Sequence, residues 1–430
     1  MQDFLEFMSL REPSVRYVVL SCILLGAAAS TVGVFGFLRK RSLVGETVAH
    51  SMLPGIGLAF ILSGSRDPLF LVTGAVITGW MSMGFMNWLI KKGPIKVDLA
   101  LAITLTGFFA IGIGLMTFIQ RGSFGDHSGL DHYIFGRAAA MDPKDIKVFG
   151  GLAVFVFVSV LLLFKEFMGL CFNREYLSVL GLPVRFLEFA ISFLTILAIS
   201  SGIKAVGIVL MAALMIIPAA AARYWTGSLR VLVALSVAFG VTAGILGAYI
   251  SFQARSLPTG PFIVIVLAVI TAVSVIFAPE RGLFSRWSKR RRLKRRVLAE
   301  NFVKEVYQIV EFGKERNRSI TKSEFLTHFH YNTRSFIRSL RLSVSKGWIL
   351  PAVDGMKLSQ KGFAKGEELN RLHRLWEIYL ARKAQTPLEK VHHSAEIIEH
   401  ILTPELEAEI RLELDLCDNF SPQNEIHIKA

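Results

Sequence analysis

Two groups of residues in this 430-residue chain combine type and spacing in a way that could do chemistry. Glu46 and His50 lie four apart inside an otherwise apolar stretch, so in a helix they share one face. A carboxylate beside an imidazole suits a borderline divalent cation such as manganese, iron or zinc. The same spacing serves a structural pair bonded to a neighbouring helix, or a proton relay, and spacing alone leaves the three open. The second group lies near the C-terminus. His373 and Glu377 are four apart, and His392, Glu396, Glu399 and His400 follow at steps of 4, 3 and 1. Six such residues on two helices make a pair of N/O metal sites, where a lone pair would read as surface charge.

The first group must be held in a membrane. The chain is 53% hydrophobic with a mean hydropathy of +0.50, and its apolar runs are long and evenly spaced. Nine spans of bilayer length are expected, at about 15–38, 43–63, 68–90, 98–119, 146–168, 186–200, 204–222, 229–252 and 260–278. Charges within such spans are costly and mark function. Asp98, at the start of a span, reads as interfacial. Gly107, Gly112 and Gly114 are expected to let helices approach closely. With nine spans, the basic residues 39–41, Lys91, Lys92, Lys96, Lys165, Arg174, Arg185, Arg223 and Arg230 all fall on one side, which should be cytoplasmic. The N-terminus is then outside. The first apolar run is too long for a signal-peptide core. Cys22, Cys171 and Cys417 match no zinc or disulfide pattern.

A sharp compositional break follows. Residues 281–296 hold nine Lys/Arg and no acid, and residues 297–430 hold 19 of each sign. The net charge of +15 is concentrated there, which suits anionic membrane lipid or nucleic acid. The expected organisation is a membrane domain over 1–280, a basic linker over 281–296, a winged helix-turn-helix over 297–366 and a helical domain over 367–430. No G-x-x-x-x-G-K-[ST] occurs, so the chain is expected not to hydrolyse ATP through a P-loop of its own.

The run GFLRKRSLVGETVAHSMLPGIGLAF at 36–60 resembles the signature of ABC-type manganese/zinc/iron permeases. YIFG at 133–136, AVGIVLMAALMIIPAAAAR at 205–223, LPTGP at 257–261 and FAPERG at 277–282 agree with it. The resemblance covers about 15–283. It implies a permease subunit of a bacterial cytoplasmic (inner) membrane importer, fed by an extracytoplasmic metal-binding protein and driven by a separate ABC ATPase subunit. It also implies that Glu46 and His50 are ligands on the metal pathway, although the family usually has Asp where Glu46 stands. In such transporters a loop helix docks on the ATPase. NREYLSVLGLPVRF at 173–186 looks like that segment, with Glu175, Leu180 and Gly181 in the coupling role. Physically it is an amphipathic stretch between two spans on the positive side, the pattern also of an ordinary interfacial helix.

In the soluble half, residues 297–366 carry 12 basic and 6 acidic side chains, and 367–430 carry 7 and 13. An amphipathic stretch over 302–312 comes first. TKSE at 321–324 is a capping box opening a short helix. Asn332 or Thr333 opens the next helix, which closes at Gly347, and strands at 349–350 and 356–358 around Asp354-Gly355 form a wing. This is the pattern of a winged helix-turn-helix, with Arg334, Arg338 and Arg341 on successive turns of the recognition helix, placed for phosphates or guanine edges. A solvated basic face has the same pattern.

HRLWEIYL at 373–380 with EKVHHSAEIIEH at 389–400 resembles the metal-binding and dimerisation domain of DtxR/MntR-type repressors. That resemblance implies an ancillary site of His373, Glu377 and His392, a primary site of Glu396, Glu399 and His400, and a homodimer. Two further ligand positions of the family fall on Asn301 and Lys304, neither a carboxylate. The acidic helix over 404–416, with Leu406, Ile410 and Leu414, is expected at the dimer interface. The whole reads as a metal permease subunit fused to a metal-dependent DNA-binding repressor. One alternative is a permease whose soluble half gates transport without touching DNA; another is a secondary transporter driven by ions. Release of the soluble half at the basic run would let it reach an operator.

Overall fold

Backbone that meets lipid must satisfy its own hydrogen bonds, so long apolar runs cross a bilayer as helices or closed barrels. Helices are what form here. The computed structural model describes residues 13–39, 42–65, 67–121, 133, 136, 143–253, 259–313, 318–352, 354–382 and 404–413. It divides into two units, Met1–Arg286 and Trp287–Ala430.

The first unit contains α1 (Pro13–Leu38), α2 (Ser42–Ser51), α3 (Leu53–Ser63), α4 (Pro68–Lys92), α5 (Val97–Arg121), α6 (Pro143–Leu162), α7 (Phe164–Phe172), α8 (Arg174–Val179), α9 (Val184–Val206), α10 (Ile208–Trp225), α11 (Leu229–Gln253) and α12 (Thr259–Phe277). Among the described residues seven stretches are long and apolar enough to cross a membrane: α1, α2 with α3, α4, α5, α9, α11 and α12. The bent pair α6–α7, with 67° between its halves, makes an eighth. Each of the nine expected spans therefore has a helix, but the count by length is seven or eight, because among the described residues α10 ranks with the shorter apolar helices, over Leu210–Trp225. The sixth expected span, 186–200, is longer than the sequence pattern indicates. It runs as α9 to Val206, and a single residue, Gly207, separates it from α10. Gly207 adopts φ 89°, a conformation open to glycine, so the chain turns without leaving its apolar run.

The outer surface of this unit is apolar. Phe70, Ile77, Met81, Phe85 and Trp88 along α4 are all exposed, as a lipid-facing helix requires. Helices meet inside through small residues. A Cβ on Gly55 would collide with the Gly74 carbonyl, and one on Gly74 with the Gly55 carbonyl, so α3 and α4 touch backbone to backbone. Gly112 likewise abuts Leu53. Gly107 and Gly114 do not share this role, since nothing among the described residues lies within 4 Å of a Cβ built on either. They occupy the open face of α5.

The second unit grows out of α13 (Leu283–Phe312), a single helix of 30 residues. Residues 281–296, expected as a linker, thus lie mostly within the same helix as the 302–312 stretch. The helix is basic and exposed at its start and apolar at its end, where Phe302, Val303, Val306, Ile309 and Val310 are buried. These pack with Phe325 of α14 (Lys322–His328) and Phe336 of α15 (Thr333–Ser345); Phe302 lies 4.8 Å from the Phe325 ring and 5.5 Å from that of Phe336. The caps fall where the sequence places them. Thr321 accepts from the Glu324 amide and Asn332 from the Ser335 amide. Gly347, at φ 70°, closes α15.

Strands β1 (Ile349–Ala352) and β2 (Gly355–Leu358) pair antiparallel, Ile349 opposite Leu358 and Ala352 opposite Gly355, and Ile320 bridges to Met356 on the far side of β2. Two helices followed by this hairpin form a winged helix-turn-helix. Helix α16 (Gln360–Arg382) starts at Ser359, whose hydroxyl accepts from the Gly362 amide, and lays Phe363 against Tyr307 of α13. Helix α17 (Pro404–Glu413) packs Ile410 on Leu375 of α16, while Arg371 pairs with Glu407 at 2.9 Å. Ile410, read from its spacing as a dimer contact, is therefore taken up within its own chain; Leu406 stays exposed.

Candidate functional site

Helix α2 is short, and it is surrounded. It packs on α4, α5, α9 and α10, which makes it a central element of the membrane unit. Pro54 explains its length. A proline cannot donate to the turn before it, so the ladder lapses at Met52 and restarts as α3. The lapse is supported by polar groups from two other helices. The Met52 carbonyl receives the Thr78 hydroxyl of α4 at 3.5 Å, and the Met52 sulfur receives Ser200 of α9 at 3.7 Å. Broken helices buried in protein are the setting in which membrane proteins expose coordinating groups.

Glu46 and His50 sit on α2 just ahead of this break, one turn apart and both half-buried. His50 packs edge-on against Phe109 of α5, ring centroids 5.0 Å apart. Its Nδ1 atom is buried and makes no hydrogen bond among the described residues. An imidazole nitrogen left without a partner in an apolar interior is costly unless something visits it. A carboxylate one turn away supplies the charge that a passing dication would need. Sequence spacing singles out this pair as the candidate. It missed Met52, Thr78 and Ser200, for which Pro54 in an apolar span was the available signal.

Two other motifs converge nearby. Gly136 has φ 72°, and a Cβ there would collide with Val206 beside Gly207. Gly136, of the run at 133–136, thus meets the start of the run at 205–223 at the α9–α10 turn; residues 134 and 135 lie outside the described residues. Residues 257 and 258 of the run at 257–261 lie outside the described residues.

The segment expected to couple to an ATPase forms a small helix, α8. Asn173 caps it by accepting from the Tyr176 amide, and Leu177 is buried against Gly169 of α7. Gly181 adopts φ 77° and its amide returns to the Ser178 carbonyl, closing the turn. Glu175 is exposed, as is Leu180. Tyr176 (62%), Val179 (84%) and Leu180 (57%) form an apolar exposed patch.

In the second unit Arg334, Arg338 and Arg341 all lie on the exposed side of α15, opposite the buried Phe336, Ser339 and Ser343. The cationic face continues beyond them. Lys346 stacks over the Trp348 ring at 4.3 Å, and burial pushes its ammonium below the ordinary lysine value, partly opposed by the Glu300 carboxylate. Arg296 is pushed the other way, chiefly by its hydrogen bond to Glu300 at 2.8 Å.

Of the residues expected as metal ligands in the second unit, His373 and Glu377 fall on α16. His373 is 4% exposed, and its Nε2 lies 3.1 Å from Glu377 Oε1. An imidazole nitrogen and a carboxylate oxygen at that separation fit two ligands of one N/O metal site. His392, Glu396, Glu399 and His400 lie outside the described residues. Asn301 and Lys304 lie on α13, Lys304 buried.

The ABC 3 transport family matches residues 12–278. The chain belongs to that family. A second family, described as the iron dependent repressor, metal binding and dimerisation domain, matches residues 359–424 of this permease. The permease is 31% identical over 380 residues to the manganese transport system membrane protein MntC of Bacillus subtilis, covering 88% of this chain and 87% of that one. It is 38% identical over 279 residues to the zinc transport system membrane protein TroC of Treponema pallidum, covering 65% of this chain and 94% of that one. Among solved structures, PsaBC from Streptococcus pneumoniae in complex with Fab aligns with a TM-score of 0.60 at 28% identity, over 67% of this chain and 99% of its own. The permease is a multi-pass membrane protein joined to a helical unit of the iron-dependent repressor class.

Proposed function

We propose that this permease is the membrane subunit of an ATP-driven importer of a divalent transition metal (iron, manganese or zinc), and that its soluble unit is a metal-dependent DNA-binding repressor. The observation that carries the transport half is Glu46 one turn from a buried His50 nitrogen that has no hydrogen bond among the described residues, immediately before a buried helix break, in a chain of the ABC 3 transport family. The relatives named for manganese and zinc transport support the class of cargo.

In this reading an extracytoplasmic binding protein delivers the ion to the membrane unit. The Glu46 carboxylate offsets the cost of bringing a dication into a low-dielectric interior, and the His50 nitrogen supplies a neutral ligand that it can leave again. The driving force comes from a partner ATPase docked on the segment that carries Glu175, Leu180 and Gly181. The positive-inside rule puts the N-terminus outside and the soluble unit in the bacterial cytoplasm. There His373, Glu377 and His392 would form one metal site and Glu396, Glu399 and His400 another. Metal would favour a homodimer, and Arg334, Arg338 and Arg341 would meet an operator.

The decisive experiment is uptake of radioactive manganese, zinc and ferrous iron by cells that make Glu46→Gln, His50→Ala or both. Each variant should assemble with its ATPase and lose uptake. Normal uptake by a well-expressed double variant would sink the assignment.

A further inference from the structure

Glu188, in the first turns of α9, holds two arginines that come from different parts of the membrane unit. Its Oε1 accepts from Arg39 Nη2 at 3.2 Å, and its Oε2 lies 3.2 Å from Arg174 Nη2. Arg174 is the first residue of the coupling helix α8. Arg39 follows α1 and stands three residues before α2, the helix of Glu46 and His50. One carboxylate thus spans from the surface segment to the root of the metal-pathway helix. The environment grades along it: the Arg174 side chain is 61% exposed and that of Arg39 only 14%.

A cavity of about 70 Å³ lies at the same joint. Arg39, Val44, Gly45, Asn87, Ser192 and Thr195 contribute to its lining. Val44 and Gly45 lead directly into Glu46, and Ser192 is one turn beyond Glu188, so the void lies between the helix ends that the carboxylate ties together. Arg39 lines it, and a guanidinium is a poor neighbour for a dication unless its charge is compensated. Two guanidinium groups sharing one carboxylate also have two arrangements available. In one, each takes one oxygen. In the other, Arg174 withdraws and Arg39 can take both in the fork geometry that arginine favours.

We propose that Glu188 is a positioning residue that relays displacement of the coupling helix to α2 through Arg174 and Arg39, so that ATP turnover moves metal past Glu46 and His50. The relay rests on the ATP-driven reading above. Its role lies in the ratio of metal moved to ATP hydrolysed, and not in binding either one.

The test uses the permease assembled with its ATPase and binding protein in liposomes, with manganese uptake and ATP hydrolysis followed on the same vesicles. Glu188→Gln should leave complex assembly and ATP hydrolysis within about twofold of the parent, while manganese moved per ATP falls about tenfold. Arg174→Gln should lower the ratio too, and adding it to Glu188→Gln should cost little more, since both remove one connection. A ratio within twofold of the parent in Glu188→Gln would overturn the relay. So would a proportional loss of uptake and hydrolysis, or effects of the two substitutions that multiply. A parent complex that takes up manganese equally well without ATP would overturn the ATP-driven reading, and the relay with it.

Discussion

Asn370 of α16 donates to the Glu311 carboxylate of α13 across 3.1 Å, and its own carbonyl lies 3.4 Å from the Gln308 amide nitrogen. This connection ties the helix that leads into the repressor-type metal domain to the helix that supplies the core of the winged domain. Asn370 is buried, whereas Glu311 is open to water, so the bond is worth a modest amount. Asn370→Ala should cost about 1 kcal/mol. Faster amide exchange in α16 and the end of α13 of the full-length protein, read by mass spectrometry, is the check; unchanged exchange would mean that the Tyr307–Phe363 contact alone holds the two helices.

Tyr307 hydrogen-bonds the other Glu311 oxygen and is pushed up to about 12, by burial first and by the Glu311 and Glu367 carboxylates after it. An unfolded tyrosine titrates near 10. Between those values the unfolded chain has released a proton that the folded one keeps. The stabilisation is therefore complete below about pH 10 and is lost as pH rises toward 12. Thermal melts of the purified protein from pH 9 to 11 should fall less steeply for Tyr307→Phe than for the parent.

The glycine contacts divide cleanly. Gly55→Ala forces a methyl into the Gly74 carbonyl and the Thr78 hydroxyl, the group that also supports Met52. A loss of about 1–3 kcal/mol is expected, seen as a lower melting temperature in detergent and less protein in the membrane. Gly107→Ala, with open space around it, should be neutral or slightly favourable. Equal behaviour of the two would contradict the backbone contact between α3 and α4.

The three arginines of α15 make a prediction about salt. If they meet phosphates, each replacement by Ala should lower the slope of log K against log salt by about 1, with a similar loss on every sequence. The measurement is a mobility shift of DNA from upstream of the chain's own gene, with and without manganese. Slopes unchanged in Arg338→Ala would point away from nucleic acid and toward the gating alternative.

How far these features could be read from the chain depended on their range. The wing, the caps at Thr321 and Asn332 and the pair Glu46–His50 are local patterns, each set within a few residues. The α9–α10 turn was blurred because Gly207 bends the backbone without any polar break. The Glu188 cluster was not legible at all. Arg39 and Arg174 register in sequence only as marks of the positive side, and the Arg39–Glu188 pair joins residues 149 positions apart. His392, Glu396, Glu399 and His400 rest on spacing and resemblance alone.

The basic run at 281–296 offers nine Lys/Arg to a protease that cuts at such residues. A protease takes its substrate as extended chain, with several consecutive residues drawn through the cleft. In α13 the same residues are wound into a helix that continues into the core of the winged domain, and Arg296 is fastened to Glu300 one turn on. The abundance of Lys and Arg therefore overstates how cuttable the run is. What sets the lifetime of the joined protein is the free energy of unwinding those first turns, and anything that grips them as helix, an anionic bilayer included, would lengthen it.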